Sequence, residues 1–222
     1  MLENKKYCIF NFELTTYCNA HCPTCFRTRF LDLIPKPFKH LTTENFSTFI
    51  LNNIEFLKRN NYDLLIAKFC GEIGDPLMNP FLDKITSIAE NVFDKVEIYT
   101  NGGLRSSEWI KKFLLSNKKT SFVFGIDGLN NEINRKYRIN VDTDKALTNM
   151  FEASKYRWTR WDYTIFEHNF HELPNVVELA KKYNLNLLCR FNGREFEKIN
   201  DNDLKKCEDF MKTNNINYYI CK

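Results

Sequence analysis

The sequence lacks a long hydrophobic segment, a signal peptide and a strongly basic tract. No apolar run approaches the roughly 20 residues of a membrane-spanning helix, and no signal-peptide core follows residues 1–6. The formal net charge is only +4, and no basic run exceeds a Lys-Lys pair with its neighbours, which argues against a nucleic-acid partner. These absences predict a cytoplasmic protein that uses neither a membrane nor a nucleic acid.

Cysteine, by contrast, is abundant, with eight residues in 222. Without a secretion signal the thiols stay reduced, and closely spaced ones are better interpreted as metal ligands than as disulfides. Cys18, Cys22 and Cys25 stand at C-x3-C-x2-C spacing, directly after an alternating apolar stretch at 7–14 that predicts a strand. The other five cysteines are scattered.

Three clustered thiolates favour an incomplete iron–sulfur site. A 4Fe–4S cubane normally takes four protein thiolates, so a triplet holds three irons and leaves the fourth open to a small molecule. Zinc is the alternative, since it takes four tetrahedral ligands and His21 would nominally complete a Cys3His set. His21 is adjacent to Cys22, however, and adjacent side chains do not easily reach the same metal.

Strands and helices alternate along the chain, which predicts an α/β fold with parallel strands and right-handed crossovers. The predicted strands are 7–14, 63–70, 95–100, 121–126, 159–166 and 186–191, followed by a final extended piece at 218–221. Six strand–helix units are two short of an eight-stranded barrel. We therefore expect an open partial (βα)6 barrel, and the absence of repeats or low-complexity linkers predicts a single domain over 1–222.

The cysteine triplet at the end of a first strand resembles the signature of the radical S-adenosylmethionine (radical SAM) superfamily, and the resemblance covers nearly the whole chain. It implies a 4Fe–4S cluster whose open iron binds SAM, and a one-electron donor of the flavodoxin or ferredoxin type. In that superfamily one electron cleaves SAM to methionine and a 5′-deoxyadenosyl radical, which abstracts hydrogen from the substrate. Thr24 departs from the pattern, since an aromatic residue often precedes the third cysteine.

The loop after the second predicted strand resembles the Gly-Gly-Glu-Pro-like motif whose backbone binds the SAM amino group. Gly74, Asp75 and Pro76 match it best, with Asp75 in place of Glu and Ile73 in place of the first glycine. Glu72 is a competing candidate for the carboxylate, and the sequence leaves that choice open.

Gly125-Ile126-Asp127-Gly128 resembles the Ser-Ile-Asp-Gly of the family's fourth strand, with the ribose-contacting serine replaced by Gly125. The resemblance implies that Gly125 and Asp127 contact the cofactor. In the segment that follows, Arg138 would meet the SAM carboxylate, and a salt-bridged surface arginine is the alternative.

Further candidates follow other predicted strands, because functional groups of parallel α/β barrels collect at the carboxyl ends of the strands. Asn101 is a cofactor-binding candidate after the third strand, and Arg190 ends the sixth. By resemblance, Phe166 would line the adenine pocket, while His168 and Asn169 would face the substrate. A structural histidine is the alternative for His168.

The fifth strand resembles that of SPASM or twitch members, in which an auxiliary-cluster domain follows the barrel. Cys221 stands where such a domain begins, so the chain is either a minimal form or a fragment of a longer one. Its other cysteines are too scattered for a second cluster, which predicts a single cubane. Two functions remain: a radical SAM enzyme acting on a peptide or small molecule, and a non-catalytic zinc or iron–sulfur module.

Overall fold

A curled sheet of seven parallel strands forms the centre of the protein in the computed structural model, which describes residues 6–34, 36–59, 62–191, 196 and 198–220. The spatial order of the strands is their order in the sequence. The strands are β1 (Tyr7–Glu13), β2 (Leu64–Cys70), β3 (Lys95–Thr100), β4 (Thr120–Gly125), β5 (Thr159–Ile165), β6 (Asn186–Phe191) and β7 (Asn217–Ile220). The predicted α/β partial barrel is thus confirmed.

Helices connect the strands. They are α1 (Phe26–Arg29), α2 (Thr43–Arg59), α3 (Leu82–Val92), α4 (Ser107–Ser116), α5 (Asn131–Asn134), α6 (Thr143–Ser154), α7 (Leu173–Lys182) and α8 (Asp201–Thr213). None of the described helices combines the length and apolar character that a bilayer crossing requires.

The final extended piece of the sequence is a full member of the sheet. In β7, Asn217 to Ile220 pair in parallel with Leu188 to Phe191 of β6. The half-barrel therefore has one strand more than the six strand–helix units of the sequence.

The two faces of the sheet differ in chemistry because successive strand residues point to opposite sides. The outward set is apolar and buried under the helices; it includes Phe12, Phe69, Ile98, Phe122, Phe124 and Trp161. The inward set on the same strands is largely polar, and several of its members line a cavity: Asn11, Lys68, Tyr99, Asp162, Thr164 and Arg190. The fold therefore places a polar concave surface inside the half-barrel.

Candidate functional site

A cavity of about 420 Å³ lies inside the half-barrel, lined by residues of β1 to β6 and of the loops that follow β1, β2 and β3. Its volume is within the range of small-molecule sites. One end carries the cysteine triplet, and the strands of the sheet form the opposite part of the wall. The cavity thus includes several of the strand ends and following loops at which the sequence predicts functional groups.

The structure brings Cys18, Cys22 and Cys25 together on this wall. The loop bends tightly: the Ala20 amide donates to Cys18 Sγ at 3.4 Å, and the Cys25 amide donates to the Cys22 carbonyl at 3.1 Å. Burial raises the pKa of Cys18 to about 12, and the nearby Asp75 charge adds to that rise. Metal-bound thiols are deprotonated, so a cofactor here must displace protons from buried thiols.

The triplet suits a cubane better than a single ion. Within the described residues, no three His, Cys, Asp or Glu side chains are arranged to hold one metal ion. His21 is exposed, with its amide bonded to the Ile139 carbonyl, and it does not line the cavity. A 4Fe–4S cube places each thiolate on a different iron, which is compatible with three separated thiols on one wall.

The remaining described cysteines do not join the triplet. Cys70 lies on the cavity wall, but its thiol donates to the Lys68 carbonyl at 3.7 Å. Cys189 and Cys207 are buried in the core, and Cys8 does not line the cavity. Cys221, the expected auxiliary ligand, lies outside the described residues.

Arg27, which the sequence analysis did not single out, lies on the cavity wall beside the triplet. Its side chain is 6% exposed, its Nε donates to the Thr16 carbonyl at 3.3 Å, and its guanidinium lies over the Phe38 ring. No carboxylate within ion-pair distance is found for it in the described part of the chain. A buried cation requires an anionic partner, and a thiolate-ligated cluster fits that requirement.

The loop after β2 packs directly on the segment that leads into the cysteine loop. The Asp75 amide donates to the Tyr17 carbonyl at 2.8 Å. A Cβ on Gly74 would lie 2.2 Å from the Thr15 carbonyl oxygen and 2.6 Å from that of Tyr17, so only glycine permits this approach. Gly74 and Pro76 lie behind the cavity wall, whereas Asp75 is part of it.

The carboxylate of Asp75 is occupied by protein donors. It accepts from the Leu77 amide at 3.0 Å, the Thr100 hydroxyl at 2.9 Å and the Asn101 amide at 2.9 Å. Burial raises its pKa despite these bonds. Asn101 is buried on the wall and donates to Asn19 in the cysteine loop at 2.8 Å. Asp75 and Asn101 therefore tie together the loops after β1, β2 and β3.

Glu72, the competing carboxylate, also lies on the wall, and its side chain is exposed. Its amide and that of Ile73 donate to the two oxygens of Glu13, at 3.2 and 3.3 Å. Burial raises the pKa of Glu13, and the two amides partly oppose that rise.

Arg138 reaches the cavity from the segment between α5 and α6, and its Nε donates to Asp127 at 2.6 Å. Asp127 is fully buried behind the wall and also accepts from the Thr164 amide at 2.7 Å. Burial alone would lower the pKa of Arg138, but the charges of Asp127 and Cys22 outweigh burial and raise it. A Cβ on Gly125 would lie 2.8 Å from this guanidinium, so the glycine provides the space that Arg138 occupies.

Phe166 and Asn169 do not reach the cavity. β5 ends at Ile165, and the Asn169 side chain accepts from the Phe166 amide at 2.7 Å. The Phe166 ring is consequently buried against Tyr137, with ring centroids 4.6 Å apart. Neither Phe166 nor Asn169 is among the residues that line the cavity, and the adenine-pocket role of Phe166 and the substrate role of Asn169 stay predictions. His168 stacks on Phe166 and does not line the cavity either.

Sequence reasoning missed the polar and charged residues on the floor of the cavity, which is the part of its wall that the strands form opposite the cysteine triplet. Lys68, Tyr99 and Asp162 line it together with Arg190, which was expected at a strand end. Polar residues at alternate positions of otherwise apolar strands were the available signal, because they mark a second face that is not packed against helices.

A family model described as the radical SAM superfamily matches residues 12–180. No curated protein matches the chain. Among solved structures, Streptococcus suis SuiB bound to precursor peptide SuiA has a TM-score of 0.73 at 13% identity, covering 98% of this chain and 49% of that one. The anSMEcpe protein with bound AdoMet has a TM-score of 0.68 at 19% identity, covering 96% and 64%. TYW1 with a lysine-pyruvate adduct has a TM-score of 0.58 at 17% identity, covering 89% and 70%. At these identities the likeness shows the fold, and the chain spans about half the length of SuiB.

Proposed function

The chain belongs to the radical SAM superfamily, whose members are enzymes that use a 4Fe–4S cluster and S-adenosylmethionine, and we propose that it is such an enzyme. The observation that carries the proposal is the placement of three free thiols at C-x3-C-x2-C spacing on the wall of the half-barrel cavity. When bound, the cluster supplies the electron that cleaves SAM into methionine and a 5′-deoxyadenosyl radical.

Cys18, Cys22 and Cys25 would each hold one iron, and the cavity beside them would receive SAM at the fourth. Arg27 would balance the negative charge of the thiolates in its buried position. In this arrangement the protein contributes no fourth ligand from the described residues, because Cys70 bonds to its own strand and His21 faces away.

Arg138 would receive the carboxylate of SAM. Asp127 fixes the guanidinium from behind through its 2.6 Å bond, and Gly125 leaves the room that the arginine needs. Asp127 is therefore proposed as a positioning residue, one step removed from the cofactor.

The loop after β2 would present its backbone to the SAM amino group where Glu72, Ile73 and Asp75 line the cavity, with Asn101 alongside and with Gly74 and Pro76 holding the loop from behind. Asp75 would act mainly by holding this loop, since its carboxylate is already bonded to Leu77, Thr100 and Asn101. Glu72 has an exposed carboxylate on the same wall and is the better candidate for direct contact.

A one-electron donor of the flavodoxin or ferredoxin type would supply the reducing electron. The substrate would be a peptide or another small molecule that enters the open side of the half-barrel. Peptides are named with the neighbours SuiB and anSMEcpe, which supports the peptide alternative.

Anaerobic reconstitution tests the proposal. We expect about four irons per chain, and 5′-deoxyadenosine formed from SAM in the presence of dithionite. The triple variant Cys18→Ala, Cys22→Ala, Cys25→Ala should lose both, whereas Cys8→Ser, which changes a cysteine away from the cavity, should lose neither. A protein that binds iron or zinc but never cleaves SAM would instead be a non-catalytic metal-binding module.

A further inference from the structure

The floor of the cavity carries a group of residues for which the proposed cofactor chemistry provides no use. Lys68 of β2, Tyr99 of β3, Asp162 of β5 and Arg190 of β6 all line it. We refer to these four as the strand belt. They come from four different strands, so the fold and not a local motif brings them together.

Charge within the strand belt is unbalanced in favour of cations. Asp162 accepts from Arg160 Nε at 2.6 Å and from Arg190 Nη2 at 2.5 Å, so one carboxylate serves two guanidiniums. Lys68 Nζ lies 5.9 Å from the centre of the Tyr99 ring. In the parts of the chain that the structure describes, it has no carboxylate within ion-pair distance. One arginine and one lysine therefore exceed the available acidic partners.

Two donors of the strand belt are unused. Arg190 Nε is shielded from solvent and has no hydrogen-bond partner among the described residues, although Nη2 of the same guanidinium is bonded to Asp162. The ammonium of Lys68 lies over the Tyr99 ring, and among the described residues it makes no hydrogen bond or ion pair; Glu97, its cross-strand neighbour on β3, attracts it without bonding to it. Buried polar groups are normally satisfied, so a donor left free on a cavity wall indicates a ligand that accepts from it.

The neighbouring charges do not fill this role. Glu97 is bonded to Lys95 at 2.8 Å and to the Tyr99 hydroxyl at 3.1 Å. Burial alone would raise the pKa of Glu97, but the hydrogen bond and charge of Lys95, together with the charge of Lys68, outweigh it and lower the pKa. The oxygens of Glu97 are thus bonded to Lys95 and Tyr99, and its attraction for Lys68 is a longer-range one. Among the described residues no hydrogen bond joins Glu97 to Lys68 or Arg190, so the donors of both remain open to a ligand in the cavity.

We propose that the strand belt binds a carboxylate of the substrate through Lys68 and Arg190. This inference rests on the proposed function and narrows its substrate class to peptides or small molecules that carry an acidic group. A guanidinium fork and a nearby ammonium suit a planar carboxylate, and the cysteine end of the same cavity would then face the rest of the substrate.

Binding of a single carboxylate tests the inference. The probes are N-acetylglutamic acid α-amide, its glutamine counterpart without any carboxylate, and inorganic phosphate. Each is titrated by saturation-transfer NMR against the reconstituted full chain with SAM present. The buffer has low salt and contains neither a carboxylate nor a phosphate of its own. We expect the acid to bind and the amide not to bind.

Matched variants locate the binding. Lys68→Met and Arg190→Met should each lower the affinity for N-acetylglutamic acid α-amide about tenfold or more, which corresponds to the loss of one charge-assisted hydrogen bond. Lys182→Met is the control, because Lys182 also lies over a tyrosine ring, at 5.4 Å from the centre of Tyr183, but away from the cavity. Circular dichroism checks that all three variants fold.

Each outcome decides the question. Equal binding of acid and amide, equal binding of phosphate, or unchanged acid binding in Lys68→Met would overturn the carboxylate assignment. If the wild-type protein does not cleave SAM in a separate assay, the proposed function is overturned, and carboxylate binding can still be observed. Failure of the carboxylate assignment is therefore distinguishable from failure of the proposed function.

Discussion

Gly74 provides a sharp structural prediction, because a single added methyl group would meet backbone and not a movable side chain. In Gly74→Ala the new Cβ would lie 2.2 Å from the Thr15 carbonyl oxygen and 2.6 Å from the Tyr17 carbonyl oxygen. Overpacking typically costs 1–3 kcal/mol, and backbone contacts on both sides place this case at about 3 kcal/mol or above. For a chain of this size that corresponds to a melting temperature lower by roughly 6–12 °C.

Gly71→Ala is the matched control in the same loop. Its Cβ would lie 3.3 Å from the Gly74 carbonyl oxygen and 3.5 Å from that of Tyr99, which is tight but tolerable, so we expect a loss of about 1 kcal/mol or less. Urea unfolding of the reduced, metal-free chain, followed by circular dichroism, measures both variants. SAM affinity of the reconstituted Gly74→Ala variant should fall as well, because the loop is displaced from the cysteine segment. Equal stability of the two variants would refute the packing argument.

Three further predictions follow from the charges around the site. Arg27→Met should make the reduction potential of the cluster more negative, by an amount on the order of tens of millivolts, because a nearby positive charge favours the reduced state; potentiometric EPR measures it, and an unchanged potential contradicts it. Arg138→Met should cost about 3 kcal/mol of unfolding free energy by leaving Asp127 buried and unpaired, and Asp127→Asn in the same chain should recover most of it, which urea titration decides. Because burial raises the folded pKa of Glu13 above 4.5, its contribution to stability is present below that pH and is lost as pH rises through the folded pKa. Glu13→Gln should therefore gain stability relative to the wild type between pH 4.5 and 8, and a constant difference over that range would show that Glu13 is not perturbed.

Local patterns were sufficient for the architecture. Alternating or continuous apolar runs predicted the six strands that became β1 to β6. Asn140, with φ of 67°, lies between α5 and α6. Helix ends depend on finer detail than these patterns: α8 is capped by Asn200, whose side chain accepts from the Asp203 amide at 3.0 Å.

The functional residues also divide into those that a local pattern reveals and those that depend on tertiary packing. The cysteine triplet is a local motif, so the sequence alone revealed it. The roles of Asp127 and Phe166 depend on which side of a loop each side chain occupies, and only tertiary packing decides that. Gly125 and Arg138 were both identified, yet the reason for the glycine, the space for the guanidinium, is a contact across 13 positions.

The strand belt shows most clearly what the sequence alone does not predict. Lys68 and Arg190 are far apart in sequence and share no motif. Their neighbourhood exists only because β2 to β6 curl around one cavity.

The central claim, that three cysteines leave one iron of the cluster free to bind SAM, is tested most directly by EPR spectroscopy of the reduced, reconstituted protein. We predict that adding SAM shifts the g-values of the reduced cluster, and that the shift is complete at one SAM per cluster. A fully loaded cluster whose spectrum does not change with saturating SAM would contradict the account.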